Sequence, residues 1–178
     1  SGSAPNLSCT SNLTPNGGFE TDGTPPGWPA GWGKKKPDDH LSWLDEAGDH
    51  FMRLTTDPGK TVMLYHMFPL PTGTTALDIT IRYRVTGLKP GPAKTDDARA
   101  VLHFLAGRRF GHLEYGHQYE PDPANIVFDQ TDGTWHETHV RCTVPAGATK
   151  LQFMPALWNT VAGTLDLSEI HVAPQKTP

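Results

Sequence analysis

The 178-residue sequence carries little charge and no concentration of basic residues. Asp, Glu, Lys and Arg together make up 19% of the residues, and the formal net charge is −4. Proteins that bind nucleic-acid backbones or anionic membranes carry clustered Lys and Arg. The one basic run, Lys34-Lys35-Lys36, is typical of a solvated loop. The composition therefore argues against nucleic acid and membrane surfaces as partners.

Long apolar runs are also absent. No segment approaches the roughly 20 apolar residues of a membrane-spanning helix, and the given residues include no charged start followed by an apolar middle of the kind that marks a secretory signal peptide. Ser1-Gly2-Ser3 is typical of an expression remnant, and the Pro-containing end of the chain is typical of a linker. We expect a tail or remnant at 1–11, one folded domain at 12–173 and a linker remnant at 174–178.

Cysteine is scarce, and histidine is scattered. Cys9 and Cys142 lie far apart in the sequence, so one disulfide or two unrelated buried thiols are both possible. The nine histidines show no HxxxH spacing and no dense Cys/His grouping. We do not expect a transition-metal site.

No window of 12 or more residues keeps a helical period, whereas Gly and Pro number 18 and 17. Short runs of alternating polarity are separated by turn sequences such as DPGK, PTGT and PAGAT. These runs are 40–44, 50–55, 61–68, 76–85, 99–106, 135–144, 150–158 and 164–172. The pattern predicts an all-β fold, a single-domain antiparallel β-sandwich of jelly-roll topology, with 107–130 as its functional loop.

Strand parity assigns the two faces of each strand. In 76–85, Leu77, Ile79, Ile81, Tyr83 and Val85 should face the core, and Arg82 and Arg84 the other side. The same rule places His103, Gln152 and Trp158 opposite the core residues of their strands. An ordinary outer face would favour Lys, Glu, Ser and Thr, so we interpret these side chains as a recognition surface.

Sugar recognition requires flat aromatic surfaces for the C–H faces of pyranose rings and planar polar groups for the hydroxyls. Any one of the tryptophans could instead belong to the core. The candidates for ligand binding are Trp43, Tyr65, Arg82, Arg84, His103, Tyr115, Gln152 and Trp158. Tyr119, Gln118 and Asn159 could add to this set.

Catalysis is the alternative to binding alone. The sequence shows no convincing pair of carboxylates of the kind that glycoside hydrolases use. A polysaccharide lyase would need a base, an acid and a cation to neutralise a uronate, and His103, His117, Tyr115, Tyr119 and Arg82 could supply them. A small lyase or hydrolase, or a purely structural accessory sandwich, therefore stays open.

Four stretches carry a family resemblance: NLTPNGGFE (12–20), GWPAGW, AGDHFMRL and GTLDLSEIHV. With them the chain resembles the carbohydrate-binding modules of families 4, 16 and 22 over nearly its whole length. The resemblance implies a jelly-roll sandwich that binds a polysaccharide, such as a β-glucan or hemicellulose, in a concave cleft without catalysing a reaction. It also implies a secreted, monomeric module tethered to a glycoside hydrolase.

The resemblance further implies a structural calcium ion. The matching positions are the Gly18 carbonyl and the carboxylates of Glu20, Glu46, Asp49 and Asp166. Calcium prefers six to eight oxygen ligands, and a site of this kind could hold the first strand, a turn and the last strand together. Exposed carboxylates at strand ends are the alternative for Glu20 and Asp166.

In the Pro-rich loop after Glu20, we expect Trp32 to be structural and leave the role of Trp28 open.

Overall fold

The structure is a computed structural model, and it describes residues 12–24, 26–33, 40–105, 108–109, 112–113 and 125–176. Of 108–109 and 112–113 it describes the backbone only. Within these ranges the regular elements are strands, and no helix suited to crossing a membrane occurs. The strands are β1 (Leu41–Glu46), β2 (Asp49–Thr55), β3 (Val62–Met63), β4 (His66–Pro69), β5 (Thr74–Lys89), β6 (Ala98–Leu105), β7 (Arg108–Arg109), β8 (His112–Leu113), β9 (Asn125–Val127), β10 (His136–Thr143), β11 (Lys150–Leu157) and β12 (Ala162–Lys176).

Ten of the strands form two antiparallel sheets, and β7 and β8 pair with each other in a separate two-stranded sheet. In the first sheet the order is β1-β2-β12-β5-β10. In the second the order is β3-β11-β6-β9, with β4 also paired to β11. One cluster of buried side chains from both sheets forms the core. The predicted all-β sandwich is confirmed.

The core faces follow the predicted parity. Leu77, Ile79, Ile81 and Val85 of β5 are fully buried, and Tyr83 is 2% exposed. Leu102 and Phe104 of β6 pack in the same cluster as Leu151 and Phe153 of β11. The outward positions of each strand can therefore be assigned with the same rule.

The predicted strand at 61–68 is divided into β3 and β4. Met63 pairs with Ala156, and His66 pairs with Phe153, so the gap at Leu64 and Tyr65 lies opposite Met154 and Pro155. Proline has no amide hydrogen to donate to the ladder. The backbone amide of Leu64 still donates to the carbonyl oxygen of Pro155 at 2.9 Å.

The N-terminal segment 12–33 closes one end of the sandwich. Its backbone is hydrogen-bonded to β12, where Ile170 N–H donates to the Gly17 carbonyl at 2.9 Å. Trp32 is 6% exposed, and its ring centroid lies 5.1 Å from that of Phe19. Trp28 is partly buried and packs against the same core. The stiff loop therefore places both indoles over the core, as expected for Trp32.

The C-terminal strand is longer than the sequence suggests. β12 continues through Pro174, Gln175 and Lys176, which pair with Leu77, Ala76 and Thr74 of β5. These three residues, assigned above to a linker, thus belong to the sandwich.

Cys142 is a free, buried cysteine, and burial raises the pKa of its thiol to about 11. Cys9 lies outside the described residues.

Candidate functional site

The predicted ligand-binding residues do not share one face of the molecule. Gln152 and His103 lie on the outer face of the second sheet together with Tyr65. Arg82 and Arg84 lie on the outer face of the first sheet, on the other side of the core. Tyr115 lies outside the described residues, as do Gln118, Tyr119 and His117.

Three of these side chains form a row across the second sheet, which we call the polar row: Tyr65, Gln152 and His103. Gln152 of β11 lies directly opposite His103 of β6, and Cβ atoms of such pairs are about 5 Å apart. The Gln152 side-chain amide donates to the Tyr65 hydroxyl at 3.3 Å. Tyr65 is 40% exposed, and Gln152 and His103 are half-buried. The row thus presents an aromatic ring, an amide and an imidazole to solvent.

The rest of that outer face is partly closed. Leu105, Met154 and Ala156 point away from the core by parity but are 4%, 6% and 0% exposed. Val101 and Met67, next to the polar row, are half-buried. The accessible strip is therefore narrow and lies along the polar row.

Both predicted tryptophans are fixed by their indole N–H groups. Trp43 Nε1 donates to the Phe19 carbonyl at 2.9 Å, and the ring packs against the core cluster. Since Trp43 lies opposite Met52, a fully buried residue, it faces inward and not towards the polar row. Trp158 directly follows β11, is half-buried and donates to the Arg99 carbonyl at 2.9 Å. Trp43 therefore belongs to the structural framework, and Trp158 borders the outer face of the second sheet.

Arg84 of β5 forms ion pairs with carboxylates of two other strands of the first sheet, the adjacent β12 and the more distant β1. Its Nε lies 2.8 Å from Asp166 Oδ2, and its Nη2 lies 3.0 Å from Glu46 Oε2. Asp166 is fully buried and also accepts a 2.8 Å hydrogen bond from Arg53. The hydrogen bond that Arg84 donates lowers the pKa of Glu46, and the hydrogen bond that Arg53 donates to Asp166 raises the pKa of Arg53. The guanidinium group of Arg84 is therefore paired with carboxylates of the fold itself.

Arg82 and Arg84 also stack on one indole. Their guanidinium carbons lie 4.3 Å and 4.4 Å from the Trp135 ring centroid, within cation–π range. Arg82 Nη1 donates to the Ser168 hydroxyl at 2.8 Å. Because Arg82 and His103 lie on opposite faces of the sandwich, they cannot act on one substrate. The lyase constellation considered above is therefore not assembled from these two residues.

A cavity of about 350 Å³ adjoins the first sheet. We call it the acidic cavity; it is lined by Gly18, Glu20, Asp49, His50, Arg82, Ser168 and Glu169. Glu20 Oε2 lies 2.7 Å from His50 Nδ1. This hydrogen bond lowers the pKa of Glu20 and raises that of His50. Three of the predicted calcium ligands, Gly18, Glu20 and Asp49, therefore meet here.

The other two predicted ligands have other partners. Glu46 is bound by Arg84, Asp166 is bound by Arg53 and Arg84, and neither lines the acidic cavity. β12 contributes Ser168 and Glu169 instead: Ser168 points outward by parity, and a register irregularity between Leu167 and Glu169 places Glu169 opposite Arg82. The sequence held a signal for this shift, since Leu165 and Leu167 are two apart but Ile170 follows after three.

The lining of the acidic cavity supplies carboxylates and a carbonyl oxygen, the oxygen ligands that calcium prefers, alongside the Arg82 guanidinium and the His50 imidazole. The carboxylates of Asp49 and Glu169 make no hydrogen bond or ion pair with the residues that the structure describes. In their present rotamers, however, the described side chains include no group of three or more His, Cys, Asp or Glu arranged to hold a metal ion. Glu20 would have to turn from His50 towards the cavity.

Comparison with solved structures identifies the fold. A family 16 carbohydrate-binding module matches with a TM-score of 0.56 and 16% identity, over 91% of this chain and 99% of that one. A family 61 module in complex with β-1,4-galactotriose matches with a TM-score of 0.50 and 10% identity, over 93% and 99%. The enzymatically active domain of bacteriophage CBA120 tailspike protein 4 matches with a TM-score of 0.58 and 12% identity, over 92% of this chain but 21% of that one.

The chain thus has the jelly-roll β-sandwich fold seen in carbohydrate-binding modules of families 16 and 61. No protein-family model and no curated protein sequence matches it.

Proposed function

We propose that this chain is a non-catalytic carbohydrate-binding module that recognises a plant-cell-wall-type polysaccharide, a β-glucan or a hemicellulose. The polar row is the observation that carries the proposal. The exposed ring of Tyr65 offers a surface for the apolar face of a pyranose, and Gln152 and His103 offer hydrogen bonds to its hydroxyls. Gln152 also holds the Tyr65 hydroxyl, which restrains the ring before a sugar arrives.

The affinity should be modest. A narrow, solvated strip gains stacking and hydrogen bonds but excludes little water, so we expect dissociation constants on the order of micromolar to millimolar. Such affinities suit a module that acts by keeping an enzyme near an insoluble or extended substrate.

We further propose that the module is secreted and works attached to a glycoside hydrolase. Support comes from the tailspike match, in which the matched region is about a fifth of a longer chain described as an enzymatically active domain. Tethering would raise the effective concentration of the attached enzyme at its polysaccharide.

Calorimetric titration tests the binding proposal with soluble β-glucan, xylan, mannan and pectin. We expect heat with at least one of them, and a loss of roughly three- to tenfold in affinity for Tyr65→Ala, the worth of one aromatic contact. Tyr65→Phe, which keeps the ring, should lose less.

Arg141→Ala, at an exposed position on the first sheet, is the matched control and should bind like the wild type. Absence of heat with every glycan would refute the function. Undiminished binding by Tyr65→Ala would refute the assignment of the site.

The acidic cavity leads to a separate proposal, that it binds a structural calcium ion. Glu20, Asp49 and Glu169 would hold the ion with the Gly18 carbonyl. A bound calcium ion would neutralise these carboxylates and join segment 12–33 to β2 and β12.

Thermal unfolding in calcium and in a chelator tests this proposal. A ligand at a hundredfold excess over its Kd stabilises the native state by about 2.7 kcal/mol, so millimolar calcium should raise the Tm by several degrees. Asp49→Asn should abolish the increase, whereas Glu137→Gln, on β10 and outside the cavity, should keep it. Equal Tm values in calcium and chelator would contradict the proposal.

A further inference from the structure

Acidic residues are segregated between the two sheets. The five strands of the second sheet, β3, β4, β6, β9 and β11, contain no Asp or Glu. The strands of the first sheet carry Asp45, Glu46, Asp49, Asp78, Glu137, Asp166 and Glu169. Since the chain as a whole has a net charge of −4, this segregation does not follow from composition.

The cationic groups of the second sheet are Arg99 and Lys150, with imidazoles at His66 and His103. Arg99 is 8% exposed and is neutralised by Asp97, whose carboxylate oxygens lie 2.6 Å and 2.8 Å from it. Lys150 has no ion-pair partner among the residues that the structure describes. The Lys150 ammonium group is therefore the positive charge of these strands that no described carboxylate neutralises.

Lys150 lies beside the polar row. It precedes Gln152 by two residues on β11, so both side chains point to the outer face and their Cα atoms are about 7 Å apart. Across the sheet it lies opposite Leu105 of β6 and Pro69 of β4, which carry no charge. The four-carbon stem of a lysine spans that distance and brings the ammonium group to a glycan lying along the row.

We infer that the preferred ligand is an acidic polysaccharide, one whose sugar units or side branches carry uronate carboxylates. The inference rests on the proposed function and names the chemical class of its ligand. A carboxylate at the polar row meets no like charge on the strands beneath it, and Lys150 offers it a charge-assisted hydrogen bond. On the outer face of the first sheet the same group would meet Asp49, Glu137 and Glu169 interspersed with Arg82 and Arg141.

Matched pairs of glycans that differ only in charge test the inference by calorimetric titration. One pair is glucuronoxylan and its carboxyl-reduced form, and the other is de-esterified and methyl-esterified homogalacturonan. We expect the acidic member of at least one pair to bind at least fivefold more tightly at low ionic strength. Because exposed ion pairs are screened, that preference should shrink in about 0.5 M NaCl.

Two lysine variants test whether Lys150 causes the preference for the acidic glycan. Lys150→Gln should lower affinity for the acidic glycan by roughly two- to fivefold, the range of an exposed ion pair, and leave affinity for its neutral partner unchanged. Lys89→Gln, at an exposed position on β5 of the other sheet, should change neither.

The outcomes separate the two claims. Equal binding of the acidic and neutral members of both pairs would overturn the inference and leave the proposed function in place. A Lys150→Gln variant that keeps the full preference for the acidic glycan would have the same consequence. Absence of binding to every glycan, neutral or acidic, would overturn both.

Discussion

Gly17 shows how strictly one residue of the NGGF motif is determined. A Cβ atom at this position would lie 2.1 Å from the Ile170 carbonyl oxygen, far inside van der Waals contact. Phe19, two residues on, is fully buried with φ at 57°, a left-handed conformation that few aromatic residues adopt. The motif is therefore needed for the close backbone contact with β12, independently of any part it has in cation binding.

We predict that Gly17→Ala destabilises the protein by about 1–3 kcal/mol, the usual cost of overpacking, because segment 12–33 must move away from β12. Chemical denaturation of the variant and the wild type measures this difference in the free energy of unfolding. Gly33→Ala is the control, since an added Cβ there meets no atom within 4 Å, and it should change stability little. Equal stability of both variants and the wild type would show that the contact with Ile170 relaxes freely.

Single residues also show what a sequence cannot reveal. Parity correctly placed Arg82 and Arg84 on an outer face, but a guanidinium there can bind a ligand or a carboxylate of an adjacent strand. Which strands lie close depends on sheet order, and the partners of Arg84 are Asp166 of the adjacent β12 and Glu46 of β1, two strands beyond β12. Long-range pairing of this kind leaves no local pattern in the sequence.

At the scale of the element, strands were predictable because alternation and turn residues are local signals. The run at 76–85 lies within β5, and that at 164–172 lies within β12. The irregularity in β12 was missed, although the uneven spacing of Leu167 and Ile170 indicated it. That single register shift places Glu169 opposite Arg82 and so in the lining of the acidic cavity.

The network on β12 leads to a prediction for Asp166. Asp166→Asn leaves the guanidinium groups of Arg53 and Arg84 without their shared carboxylate in a partly buried site, and should cost about 2–4 kcal/mol of unfolding free energy. Glu46→Gln removes the exposed partner of Arg84 and should cost much less. Urea denaturation of the two variants measures the difference, and a larger effect for Glu46→Gln would contradict this view of the network.

At the scale of the whole molecule, the two outer faces differ in chemistry. The first sheet is covered by ion pairs and by Trp135 stacked on two arginines, while the second carries the polar row and no acidic strand residue. The predicted ligand set mixed residues of both faces, because period two distinguishes inside from outside but not one sheet from the other. Tyr65, His103 and Gln152 are the members that the fold brings together.

The most direct measurement is to map the bound glycan by nuclear magnetic resonance on isotopically labelled protein. During titration with a glycan that gives heat in calorimetry, we expect amide and side-chain shifts to concentrate at Tyr65, His103 and Gln152, with Arg84 and Trp135 unaffected. Shifts concentrated on the first sheet, or spread evenly over both, would contradict the claim that the outer face of the second sheet is the binding surface.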